Sequence, residues 1–101
     1  MSTDLIHNAV RNRTCLTAVY DNYVRYFCPY AVGRTAERVP AVLAFQYEGG
    51  AKGGTVECGE WRLFLLHRLR DVRPNSDVWR CEPPRASILA QLRDVEVSAP
   101  V

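Results

Sequence analysis

The sequence predicts a small, mainly β fold: a partly open barrel of about five antiparallel strands, preceded by an N-terminal helix and followed by a short helix. Three observations carry this expectation. Runs rich in aromatic and β-branched residues recur at short intervals between positions 13 and 79. Turn-forming residues separate them, as at Asp21-Asn22, Gly49-Gly50 and Pro74-Asn75-Ser76. Only the first dozen residues show a clear helical period before the strands begin.

Taken in order, Thr3 and Asp4 are good helix-start residues, and Leu5, Ile6, Ala9 and Val10 then share one helical face. Asp4 near the start and Arg11 near the end suit the helix dipole. A helix this short is marginal alone, so it must pack on something. Residues 13–20, RTCLTAVY, predict a strand, Asp21-Asn22 a tight turn, and YVRYFCPYAVG the returning strand of a hairpin. Pro29 cannot donate to a ladder and marks an edge, a bulge or an end. RTAER is a polar loop, and PAVLAFQYE is a third strand. EGGAKGG predicts a flexible loop.

WRLFLLHRL, residues 61–69, is the strongest β segment. Trp61, Leu63, Leu65 and His67 fall on one side, and Arg62, Phe64, Leu66 and Arg68 on the other. Both faces are apolar at the centre, so both are expected to be covered. The interior covers one, and a helix, a ligand or a second subunit covers the other. Asp71-Val72-Arg73 is a short strand, and Val78-Trp79 starts a last edge strand. Pro83-Pro84 is a break, Ser87 caps a short helix through ILAQLR, and VEVSAPV is a loose tail. The organisation expected is one domain over residues 1–82, with a C-terminal helix or tail over 83–101.

Composition narrows the function classes. Hydrophobic residues make up 48% and charged residues 24%, which fits a globular chain. The net charge of +2 implies no partner by itself. Twelve of the thirteen basic residues are arginines, which reflects either coding bias or the bidentate capture of phosphate and carboxylate that arginine does best. No run approaches the roughly 18 apolar residues of a membrane span, and no signal peptide is evident. A cytoplasmic location with reduced thiols is therefore expected. Cys15, Cys28, Cys58 and Cys81 form no C-x-x-C pair, so no metal and no cofactor are expected. No catalytic motif is present, and no enzyme activity is expected.

The order of these segments resembles the WYL domain of bacterial regulators. The residues that carry the resemblance are Ala9, Tyr20, Arg25, Pro29, Gly33, Arg62, Phe64, Leu66, Arg68 and Leu69. Its strongest part is WRLFLLHRL. The family's namesake Trp-Tyr-Leu falls at Ala41-Val42-Leu43, and Leu65 and His67 stand where the family has an arginine and an aspartate. The resemblance implies an Sm/SH3-like barrel that senses a ligand and regulates transcription. Its ligand would be single-stranded nucleic acid or a nucleotide. The implied ligand-binding residues are Arg25, Arg62 and Arg68, with Tyr26 and Tyr30 as stacking rings. The usual helix-turn-helix domain has no room before the first strand, so a partner protein is expected to supply DNA binding. The alternative is an interaction or oligomerisation module, for example a homodimer, using Trp61, Leu63 and Leu65.

Overall fold

The computed structural model describes residues 3–52, 54–55 and 59–100. It is mainly β, with a helix α1 (Thr3–Asn12), strands β1 (Leu16–Tyr20), β2 (Tyr23–Arg34), β3 (Pro40–Ala51), β4 (Gly54–Thr55), β5 (Glu60–Leu65), β6 (Arg70–Pro74) and β7 (Asp94–Ser98), and a one-turn helix α2 (Ala86–Leu89). The seven strands form one antiparallel system that curls without closing into a barrel.

The curl has a local cause. Asp21 and Asn22 both take positive φ, 52° and 69°, which makes a two-residue turn whose twist suits a hairpin. β1 then pairs with the first half of β2, from Tyr20↔Tyr23 to Leu16↔Phe27. Pro29 lies mid-strand, and the β2–β3 register shifts between Pro29 and Ala31. A residue without an N–H is tolerated at such a bulge, and the bulge bends the strand. Beyond the bend, β2 pairs with β7 instead of β1. A Cβ on Gly33 would lie 2.0 Å from the Asp94 carbonyl oxygen, so the close approach of β7 requires glycine there. β3 likewise carries β5 along half of its other edge, from Ala41 to Gln46, and β4 at its end.

The expected fourth strand is cut short. β5 ends at Leu65, and Leu66–Arg68 make a single 3₁₀ turn before β6 crosses to pair with β1. β5 and β6 therefore join the two sides of the sheet through the chain, not through a shared ladder. The inner face carries the main core: Leu16, Phe27, Val42, Ala44, Phe64 and Leu66, with Ile6, Ala9 and Val10 of α1 packed into it. Burying Ile6 and Val10 is worth about 1.5–3 kcal/mol each, which is what holds so short a helix in place.

Several sequence expectations are corrected. EGGAKGG is largely strand and turn, with Gly49, Gly50 and Ala51 in β3 and Gly54 in β4; Gly53 lies outside the described residues. Of VEVSAPV, residues 95–100 are not a loose tail, and Val101 lies outside the described residues. Val95–Ser98 belong to β7, because Val95, Glu96 and Val97 alternate and find the free edge of bent β2. β7 thus joins residues 94–98 of the C-terminal segment to the sheet. α2 starts at Ala86 after Arg85, ahead of the expected cap at Ser87. Val78-Trp79 form no strand. They belong to an irregular strap over residues 75–85, and Trp79 packs on both the main core and the Cys15–Cys28–Tyr47 cluster. The outer face of β5 is covered by the chain's own C-terminal segment: Ile88, Leu89 and Leu92 pack with Trp61, Leu63 and Leu65.

Candidate nucleotide-binding recess

The polar residues of the inner face gather at the end of the curl remote from the α1–β1 junction. Here Tyr20 ends β1, and Arg25, Gln46 and Arg62 follow the inward alternation of β2, β3 and β5. Arg25 is only 4% exposed. Its Nε and Nη2 donate to the Tyr20 carbonyl oxygen at 3.3 and 3.1 Å, and its Nη1 donates to Gln46 Oε1 at 3.1 Å. Gln46, fully buried, in turn donates from Nε2 to the carbonyls of Glu48 and Gly50, both at 3.1 Å. The guanidinium lies 5.4–5.6 Å from the ring centres of Tyr20, Tyr23 and Phe64.

Among the described residues, no carboxylate pairs with Arg25. Burial holds its pKa below the ordinary arginine value, and the neighbouring Arg62 charge adds to this against weaker support from Asp21. A buried cation without a carboxylate is costly, and such groups normally pair or mark a site.

Arg62 binds Glu60 through Nη2, while its Nε is buried with no hydrogen-bond partner. Arg25, Arg62 and Lys52 line one recess of about 390 Å³, with Tyr20, Trp61 and Phe64 among its walls and Asp21 and Gln91 at its rim. Arg68 pairs with Asp21 and sits 5.0 Å from the Tyr20 ring centre. Of the three sequence-predicted arginines, Arg25 and Arg62 share the recess, while Arg68 lies outside it, against the Tyr20 ring. Tyr20 itself is fixed, since its hydroxyl accepts from the Leu65 N–H at 3.1 Å and its ring packs on Phe64 at 4.8 Å.

The two predicted stacking rings lie elsewhere. Tyr26 points to the outer face and packs against the cluster of Cys15, Cys28 and Tyr47. Tyr30 meets Trp61 edge-on at 5.8 Å, also outside the recess. The strand period explains Tyr26, which follows the inward-facing Arg25 and so faces out.

Sequence reasoning missed a second concavity. A groove of about 730 Å³ runs between the outer face of β3 and β5 and the strap, lined by Phe45, Tyr47, Trp61, Arg80, Arg85 and Ile88, with Glu82 and the two prolines. Trp61 borders both the groove and the recess. Arg80 lies over the Tyr47 ring at 5.3 Å. Tyr47 donates to Asp77 at 2.6 Å and accepts from Asn75 at 3.3 Å, which pins the strap to β3. Alternation places Phe45 and Tyr47 outward, but only the path of the strap reveals that arginines lie opposite them.

His67 shares a recess of about 420 Å³ with Asp21, Arg68 and Asp71, and no hydrogen bond joins it to either carboxylate. Among the described residues no group of His, Cys, Asp or Glu is arranged to hold a metal ion. No described helix is long and apolar enough to cross a membrane. No protein-family model, curated protein or solved structure matches this chain.

Proposed function

We propose that the chain is a WYL-type sensing module, a binder with no chemistry of its own, that takes a nucleotide-like ligand or a short single-stranded nucleic acid. The phosphate enters the recess between Arg25 and Arg62, with Lys52 at its mouth, and the base lies along Trp61. The observation that supports this reading is Arg25: a buried guanidinium with no carboxylate, set beside a second cation whose Nε is unsatisfied, in an open recess. A phosphate oxygen would supply the acceptor that Arg62 Nε lacks and the countercharge that Arg25 lacks. Arg68 lies outside the recess, where its pairing with Asp21 offsets the repulsion that carboxylate exerts on an incoming anion.

Fluorescence titration of Trp61 with a nucleoside triphosphate and with short single-stranded DNA and RNA tests the proposal. Binding is expected to weaken steeply with salt. Arg62→Ala is expected to reduce affinity at least tenfold, about 1.4 kcal/mol, and Arg85→Ala in the separate groove to leave phosphate binding unchanged. Absence of binding to all three ligands at low salt would overturn it. The alternative is an interaction module acting through Trp61, Leu63 and Leu65, which the C-terminal segment leaves partly exposed; light scattering that reports a dimer would favour it.

A further inference from the structure

Two thiols that the recess does not use lie side by side. Cys15 and Cys28 are 1% and 0% exposed, and their sulfurs are 3.7 Å apart. Their placement follows from the hairpin. With a two-residue turn, the flanking Tyr20↔Tyr23 pair is the hydrogen-bonded kind, and the kinds alternate along the ladder. Extending the register past Leu16↔Phe27 sets Cys15 opposite Cys28 at a non-hydrogen-bonded position. There, Cα atoms approach to about 4.5 Å and side chains are closest, within the range a disulfide accepts. The sulfurs need to close by only about 2 Å, which side-chain rotation supplies.

The strap covers this pair. Cys15 Sγ donates to the Val78 carbonyl at 3.6 Å, and the Arg80 N–H donates to Cys28 Sγ at 3.5 Å. Cys81, the third thiol of the cluster, is only partly buried.

We propose that Cys15 and Cys28 are an oxidisable pair that closes to an intramolecular cross-strand disulfide in the presence of a small peroxide. One thiol attacks the peroxide oxygen and its proton passes to the leaving oxygen, the O–O bond breaks, and a sulfenic acid forms with release of water or an alcohol. The second thiol then attacks that sulfur, its proton passes to the leaving hydroxyl, the S–O bond breaks, and water leaves as the S–S bond forms. The peroxide gains the two electrons that the two thiols lose. Closure removes the S–H that Cys15 gives to Val78, so oxidation releases one tether of the strap while it locks the base of the β1–β2 hairpin.

The test treats the reduced full chain with hydrogen peroxide, blocks remaining thiols by alkylation, and maps tryptic peptides without reduction. The expected product joins peptide 14–25 to peptide 26–34, and dithiothreitol separates them. Unfolding of the oxidised protein is expected at a higher temperature than that of the reduced protein, and Cys15→Ala is expected to abolish the shift. Recovery of both cysteines as alkylated thiols overturns the proposal. So does a bond from either cysteine to Cys58 or Cys81, or oxidation of both to sulfonic acids. All three readings come from the unmodified sequence, so they do not depend on how a variant folds.

Discussion

Replacing Gln46 with leucine isolates the support of the recess. Gln46 is fully buried and makes three hydrogen bonds. Its loss leaves the Arg25 Nη1 without an acceptor, and a buried hydrogen bond to a charged group is worth about 1.5–3 kcal/mol. The carbonyls of Glu48 and Gly50 lose a donor each, at roughly 0.5 kcal/mol apiece because they lie only partly buried. The new leucine recovers about 1 kcal/mol by apolar burial. The net cost is about 2 kcal/mol. At a urea slope of about 1 kcal/mol per M for so small a domain, the unfolding midpoint falls by about 2 M, read by tryptophan fluorescence. Arg25→Met and the double variant complete a cycle. If the chief task of Gln46 is to hold Arg25, the double variant loses less than the sum of the singles by about 1–2 kcal/mol. Costs that add to within about 0.5 kcal/mol would instead show the two side chains to be energetically independent.

Three further outcomes are expected. Phe64→Ala, at the centre of the ring cluster with Tyr20 and Phe27, costs about 3–5 kcal/mol in chemical denaturation, and unchanged stability would contradict the assigned core. Gly33→Ala forces a Cβ into the Asp94 carbonyl, so hydrogen exchange is expected to quicken selectively in β7 while β1 stays protected. Burial pushes the Cys28 thiol up from 9.0 to about 12, and Cys81 shifts the same way by burial. Because both protonate more readily when folded, their contribution is complete below pH 9.0 and is lost as pH climbs toward about 12. Urea midpoints measured across that window are expected to fall, and Cys28→Ala to flatten the decline.

Local signals were legible in the chain. The apolar face of α1, the Asp21-Asn22 turn and the Pro29 bulge each follow from a few adjacent residues, and each stands where the sequence places it. What was not legible depends on distant partners. VEVS reads as a tail until bent β2 offers it an edge. WRLFLLHRL reads as one strand, but the chain must turn at Leu66 to carry β6 across to β1. At the candidate site, strand parity brings Arg25 and Arg62 together, yet it also turns Tyr26 away from them. The arginines of the strap, Arg80 and Arg85, had no period to place them, since irregular segments carry none.

The pairing of β7 with β2 also sets α1 beside the last strand. His7 meets Glu96 at 3.1 Å, and Arg13 donates to the Pro100 carbonyl. Thr3 stands about 15 Å from the far end of its own helix. A bridge of roughly five or six residues therefore spans from residue 100 back to residue 3. Joined there and opened between Ala36 and Glu37, in the exposed connection of β2 to β3, the chain becomes a circular permutant that runs β3 to β7, then α1, β1 and β2. Every ladder keeps its partner in that order, so the permutant is expected to form the same sheet, which circular dichroism and a thermal melt would check.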